Sequence, residues 1–275
     1  MRVLICLLAA ACASVPGQTN DAELARQVNN PVARMISVPI QSEWYFGVGP
    51  NRDTVYALQF KPVVPFTLNS KWNILTRYIL PVAHVPDLFG GVDFLPANQP
   101  TIAATGNGDL TVTAWLTPSN MPRAGRAQIL YGIGTALMAP TASSSSLGTG
   151  KWNGGPSMLA GYMRGRMIAG ALVQNIWSFA GASDRAPVNQ FMVQPFWSYR
   201  LNRGWSVVVS PPITSNWRAS SDRWTVPLGA GFAKLVRFGQ MPVTLGAEAM
   251  HYSIRPAGNG PRWTFRLNAK FIVPR

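Results

Sequence analysis

Few side chains in this sequence stand at spacings that perform chemistry on their own. His251-Tyr252-Ser253 is the one arrangement that suggests a nucleophile and its base. At a spacing of two, an imidazole and a hydroxyl share one face of an extended strand, so the histidine is placed to activate the serine. A third group that would orient the imidazole is not evident, and Asn259 lies in the neighbouring loop without a matching context. The other histidine, His84, lies among prolines near Asp87, and two isolated histidines make no metal site. Gly132-Ile133-Gly134 and Gly229-Ala230-Gly231 fall within strand patterns, so they read as packing room and not as phosphate loops. No catalytic residue, cofactor or metal is expected, and the His-x-Ser pair is kept only as a distant hydrolase alternative.

The commoner chemistry is cationic. Lys and Arg total 24 against 10 Asp and Glu, a formal charge of +14. Nucleic acid would suit such a charge, but the arginines are scattered, without a basic run or helix, and no nucleic-acid partner is expected. Hydrophobic residues make up 47% and charged residues only 12%, about half the usual charged share of a soluble domain. Beyond the N-terminus no apolar run reaches the roughly 18 to 20 residues of a spanning helix. A membrane protein without such a run must be a closed barrel, because only helices and barrels satisfy their backbone groups in lipid.

The elements that would carry these charges follow in order. Met1-Arg2, an apolar stretch over 3–11 and Ala11-Cys12-Ala13 read as a signal peptide over 1–13. Cys12 after Ala9-Ala10-Ala11 loosely resembles a lipobox, a weaker lipoprotein reading. Cleavage after Ala13 removes Cys6 and Cys12, and with them any disulfide or thiolate site. Residues 14–34 read as a periplasmic segment with a short helix over 19–27, capped by Thr19 or Asn20 and ended by Asn30-Pro31. Residues 35–275 read as the barrel. From Met35 the period is two, and about twelve antiparallel strands of about ten residues fit the length. They fall near 36–48, 54–61, 71–82, 109–117, 127–139, 156–164, 165–178, 190–201, 204–211, 223–232, 241–254 and 262–273. The connections alternate between tight turns, such as Asn202-Arg203-Gly204, and long loops over 81–108, 140–155, 180–188, 212–222 and 255–261. Short periplasmic turns opposite long surface loops are the pattern of an up-and-down outer-membrane barrel.

Side-chain phase then sorts the faces. On the last strand Trp263, Phe265, Leu267 and Phe271 share one side, with Arg266 and Lys270 on the other. An Arg or Lys facing lipid near the midplane costs roughly 2 to 4 kcal/mol, so mid-strand charges should face the lumen. The lumen-lining candidates are Glu43, Lys61, Arg77, Arg166, Gln174, Gln190, Gln194, Arg200, Arg223, Glu248, Arg262, Arg266 and Lys270. Gln59, Thr225 and Asn268 add neutral polar groups to that face. Such a lumen favours anions. The alternative is a structural protein whose blocked lumen ties the arginines to Glu43 and Glu248. The phase also implies that Arg266→Glu leaves folding nearly intact, whereas Leu267→Arg impairs membrane assembly. In the long loops Phe89-Gly90-Gly91 and Trp152-Asn153-Gly154-Gly155 set aromatics beside glycines, suited to a ligand or an inward constriction. The serine run 143–146 reads as a flexible loop tip.

From about Asn30 to Pro274 the chain resembles a bacterial family often mislabelled "neuromedin U", related to outer-membrane barrels of meta-pathway phenol degradation. The resemblance rests on Asn30-Pro31-Val32-Ala33, Gly108-Asp109-Leu110, Pro140-Thr141-Ala142 and Leu147-Gly148-Thr149-Gly150-Lys151-Trp152 with Gly155-Pro156. It continues through Trp177-Ser178-Phe179-Ala180-Gly181, Gln194-Pro195-Phe196, Trp224-Thr225-Val226-Pro227-Leu228-Gly229 and Phe271-Ile272-Val273-Pro274-Arg275. It implies an outer-membrane barrel that contacts lipid and the barrel-assembly machinery and passes a small solute, without implying which solute or which residues. Many such barrels end in an aromatic residue read during assembly; here Pro274-Arg275 follow Phe271, which shifts that role to Phe271. The His-x-Ser pair resembles that of the outer-membrane phospholipase, also a twelve-stranded barrel.

Overall fold

A computed structural model describes residues 35–86, 88–89, 100–239, 241–257 and 260–273. The signal peptide and the helix expected over 19–27 lie outside the described residues. Within them the chain is all β. The strands are β1 (Ile36–Val48), β2 (Asp53–Phe60, resumed at Val63–Thr67), β3 (Trp72–Val85) and β4 (Ala104–Asn107, resumed at Leu110–Pro118). They continue as β5 (Ala127–Ala139), β6 (Lys151–Arg164), β7 (Met167–Gly181) and β8 (Asn189–Arg200). The last four are β9 (Trp205–Val209, resumed at Ile213–Asn216), β10 (Trp224–Phe238), β11 (Met241–Ile254) and β12 (Trp263–Val273). Each pairs antiparallel with the next, and β12 pairs with β1 from Phe46↔Trp263 to Ile36↔Val273. The twelve strands therefore close into one barrel without free edges.

Alternation explains both faces. Ile133, Met158, Leu228, Phe232, Phe265 and Leu267 project outward and are exposed, whereas Trp115, Leu130, Leu159, Leu172, Glu43 and Arg266 on the other parity are buried. Aromatics gather at the ends of the outer face. Trp217 and Trp224 stack edge-on near the long loops, with ring centroids 5.7 Å apart. At the opposite end Lys234 Nζ lies 5.2 Å from the Trp205 ring centroid, a cation kept at the interface.

The strand order and number follow the period-two reading, but several ends differ. β3 runs on to Val85, β6 begins at Lys151, and β10 extends to Phe238. The loops are correspondingly shorter than their glycines and prolines suggested, because pairing on both sides overrides weak local strand propensity. The short turns sit where expected. Arg203 (φ 54°) and Gly204 (φ 76°) take the left-handed pair that a tight hairpin requires.

Candidate functional site in the barrel interior

The polar part of the interior is built from the inward residues of β8 to β2. Arg266 and Glu43 face each other across β12 and β1, and Arg266 and Glu248 across β12 and β11. Arg266 Nε donates to Glu43 Oε1 at 2.5 Å, and its Nη1 lies 3.7 Å from Glu248 Oε1. Tyr45 Oη and Gln59 Nε2 donate to Glu43 Oε2, each at 2.5 Å. Lys61 Nζ donates to Gln41 Oε1 on the next strand.

The belt continues over β10 to β9. Ser210 Oγ donates to Glu248 Oε2 at 2.9 Å, passing above β10. This contact depends on glycine: a Cβ on Gly231 would stand 2.6 Å from Glu248 Cγ and 2.0 Å from Ala247 O. The chain also frees a carbonyl here. Pro211 and Pro212 have no N–H, and β9 pairing with β8 stops at Val209 and resumes at Ile213. The Ser210 carbonyl accepts instead from Gln194 Nε2 at 3.3 Å and Arg266 Nη1 at 3.4 Å. A backbone acceptor lost to the ladder thus becomes a fixed part of the interior.

The facing wall, β3 to β7, is mostly apolar. Leu75, Trp115, Leu130, Leu159 and Leu172 pack into one buried cluster, joined by Met192 and Phe196 of β8. Trp115 Nε1 donates to Ser157 Oγ at 3.0 Å, reaching from β4 to β6. The intervening inward positions of β5 are Gly132 and Gly134, and a Cβ on Gly132 would meet Trp115 Cβ at 3.1 Å. Arg77 lies over the indole, its Cζ 5.5 Å from the ring centroid.

At the long-loop end the segment 140–150 turns inward. Leu147 is fully buried among Tyr45, Val48, Val55, Ala57, Ala83, Val85 and Tyr252, side chains of β1, β2, β3 and β11. Asp109 holds the base of this segment, accepting from Thr149 N at 2.6 Å, Thr149 Oγ1 at 2.9 Å and Ala142 N at 3.1 Å. Arg185 holds its tip, with Nη2 donating to Ser145 O and Gly148 O, both at 2.6 Å. The serine run expected to be a flexible tip is instead pinned: Ser146 is 6% exposed and its hydroxyl accepts from Ile102 N.

Of the lumen candidates, the structure brings Glu43, Gln194, Glu248 and Arg266 together, with Lys61 bonded beside them. Lys270 is half-buried on the Arg266 side of β12, Arg77 and Gln174 sit on the apolar wall, and Gln190 is half-buried on β8. Four candidates lie at the barrel ends instead. Arg166 is exposed in the β6–β7 turn, Arg223 is exposed and donates to Ala219 O at 2.7 Å, and Arg262 is exposed before β12. Arg200 bonds Gly165 O at the same turn end. These side chains stand in or beside turns, where no continuous pleat fixes the face. Sequence reasoning passed over Ser210, Trp115, Ser157, Asp109 and Arg185. The Pro211-Pro212 break in a strand and Trp115 on the phase of Thr111, Thr113 and Thr117 were the available signals.

The His-x-Ser pair lies elsewhere. His251 and Ser253 are exposed on the outer face of β11. Ser253 Oγ donates to Val226 O at 3.0 Å, and the imidazole packs edge-on against Trp263 at 4.8 Å. Asn259 lies outside the described residues.

No protein-family model and no curated protein matches the chain. Solved structures do. An outer-membrane channel from Pseudomonas putida F1 superposes with a TM-score of 0.61 at 18% identity, covering 87% of this chain and 94% of that one. The porin NanC superposes with a TM-score of 0.50 at 11% identity, covering 85% and 98%. The fold is that of an outer-membrane β-barrel. The short turns then face the periplasm and the long loops, with segment 140–150, face outward.

Proposed function

We propose that this barrel passes a small solute across the outer membrane, favouring an anionic or aromatic compound over a cation. The charge of the middle of the inner face carries the reading: among the described residues, four cations (Lys61, Arg77, Arg266, Lys270) stand against two carboxylates, Glu43 and Glu248. Fixed positive charge in a confined interior raises the local anion concentration. The expected test is swelling of proteoliposomes in isosmotic solutions of a small organic anion and of a cation of equal size, the anion entering faster. Equal rates, or faster cation entry, would overturn the preference.

One observation favours a second reading, a structural barrel with a blocked interior. Leu147 seats segment 140–150 among side chains of β1, β2, β3 and β11, so the described conformation is one with that mouth covered. Hydrolysis has less support, since the Ser253 hydroxyl is committed to a backbone carbonyl. Membership of the mislabelled "neuromedin U" family, export through cleavage after Ala13 and assembly guided by Phe271 belong to the same proposal.

A further inference from the structure

We infer that the outer side of the periplasmic rim binds the headgroups of anionic phospholipids in the inner leaflet of the outer membrane. The first observation is a separation of charge along the barrel axis. Each of the five short connections carries or adjoins an exposed cation: Lys71, Arg123 with Arg126, Arg166, Arg203 and Arg237. None of the segments 68–71, 119–126, 164–167, 201–204 and 237–241 contains Asp or Glu. At the long-loop end the cations are interleaved with acids. Asp53 follows Arg52, Arg185 follows Asp184 and Arg223 follows Asp222, while Lys151 and Arg185 donate to backbone carbonyls. A rim of one sign raises the local concentration of the opposite charge.

Side-chain direction decides which anion this is. Arg164, exposed at the end of β6, stands opposite Met167, Met167 opposite Tyr199, Tyr199 opposite Val207 and Val207 opposite Phe232. These residues share one level and one face across five neighbouring strands, and the exposed Phe232 marks that face as the lipid side. Trp205 and Lys234 oppose each other one pleat nearer the periplasm, with Lys234 Nζ over the indole. Beside them Trp197 and Tyr199 stack, their ring centroids 6.2 Å apart and their planes 13° apart. Trp and Tyr on a lipid-facing surface settle at headgroup level. Cations on the same face at that level meet lipid phosphate and not a solute in the lumen. Arg203 is exposed in the β8–β9 turn, between the strands that carry Arg164 and Lys234. Lipopolysaccharide lies in the other leaflet, at the long-loop end, so the ligand is a glycerophospholipid with net negative charge, such as phosphatidylglycerol.

The test is native mass spectrometry of the folded barrel in non-ionic detergent, titrated with phosphatidylglycerol and with phosphatidylcholine. Phosphatidylglycerol should bind about tenfold more tightly or better, because each cation at an anionic lipid surface contributes about fivefold. Replacing Arg164, Arg203 and Lys234 together with Gln should remove most of that advantage. Replacing Arg218 and Arg223 with Gln, at the long-loop end, should leave it intact. Heat-modifiable gel mobility checks folding of each variant, and Lys234→Gln alone, with an expected loss of about fivefold, replaces the triple variant if that one does not fold. Equal binding of the two lipids to wild type would overturn the site. So would an advantage that survives in the folded rim variant, or one that falls as far in the long-loop variant. Co-sedimentation with purified peptidoglycan that depends on the rim cations, without preference for phosphatidylglycerol, would overturn the lipid and assign the rim to the cell-wall polymer.

Discussion

Replacing Arg266 with methionine tests how the polar belt is held. The Arg266 side chain is 3% exposed, Glu43 1% and Glu248 7%, so all three charges are out of bulk water. Methionine keeps the length and removes the guanidinium. Glu43 then retains Tyr45 and Gln59 as donors but loses its bonded counter-charge, with Lys61 as the remaining nearby cation, and among the described residues Glu248 retains the Ser210 hydroxyl. Removing one partner of a buried pair costs about 3 to 5 kcal/mol, because the other charge is left uncompensated. That is a large share of the roughly 5 to 15 kcal/mol by which folded domains are stable. Adding Glu43→Gln removes the more closely paired of the two stranded charges and keeps an oxygen for Tyr45, so the double variant should regain part of the loss while Glu248 stays without a counter-charge. Urea titration in detergent, read as the folded band on unheated gels, gives both differences. A single variant within about 1 kcal/mol of wild type, or a double variant no better than the single, would refute the argument. The same geometry corrects the expectation that Arg266→Glu leaves folding nearly intact. An inward position tolerates a charge change when water reaches it. Here a new carboxylate would lie between Glu43 and Glu248, and folding should suffer more than in Arg266→Met.

Leu267 is 42% exposed on the outer face, so Leu267→Arg should lower folding yield into vesicles by an amount equivalent to roughly 2 to 4 kcal/mol. Arg185→Ala removes the bonds to Ser145 O and Gly148 O, each worth about 1.5 to 3 kcal/mol as charged bonds; hydrogen exchange in 140–150 should accelerate and conductance should rise. With Ser253 Oγ bonded to Val226 O and not poised on His251, fatty-acid release from phospholipid micelles should be the same for wild type and His251→Ala.

The barrel was legible because its signal repeats. Each strand contributes only a weak period-two pattern, but lipid penalises every misplaced charge, so Phe265 and Arg266 are forced apart on one strand after another. What the interior does with its charges was not legible. Phase places Arg266 and Glu43 on the inner side of neighbouring strands, but their direct opposition depends on register across the closing seam of β12 and β1, which pairs residues 223 apart in the chain. The link from Ser210 to Glu248 needs both a proline pair that frees the backbone and glycines that clear β10. Neither is visible until three strands are aligned. Arg185 was unreadable for a different reason: its partners are backbone carbonyls of another loop, and carbonyls carry no sequence signature.

An interior that conducts and prefers anions has a direct electrical signature. Reversal potential in a planar bilayer under a potassium chloride gradient measures this most directly, using protein shown to be folded by heat-modifiable mobility. Single-channel steps should appear with a reversal potential of the sign set by chloride, and larger steps for Arg185→Ala. A reversal potential of the sign set by potassium, or no steps from either folded protein, would contradict it.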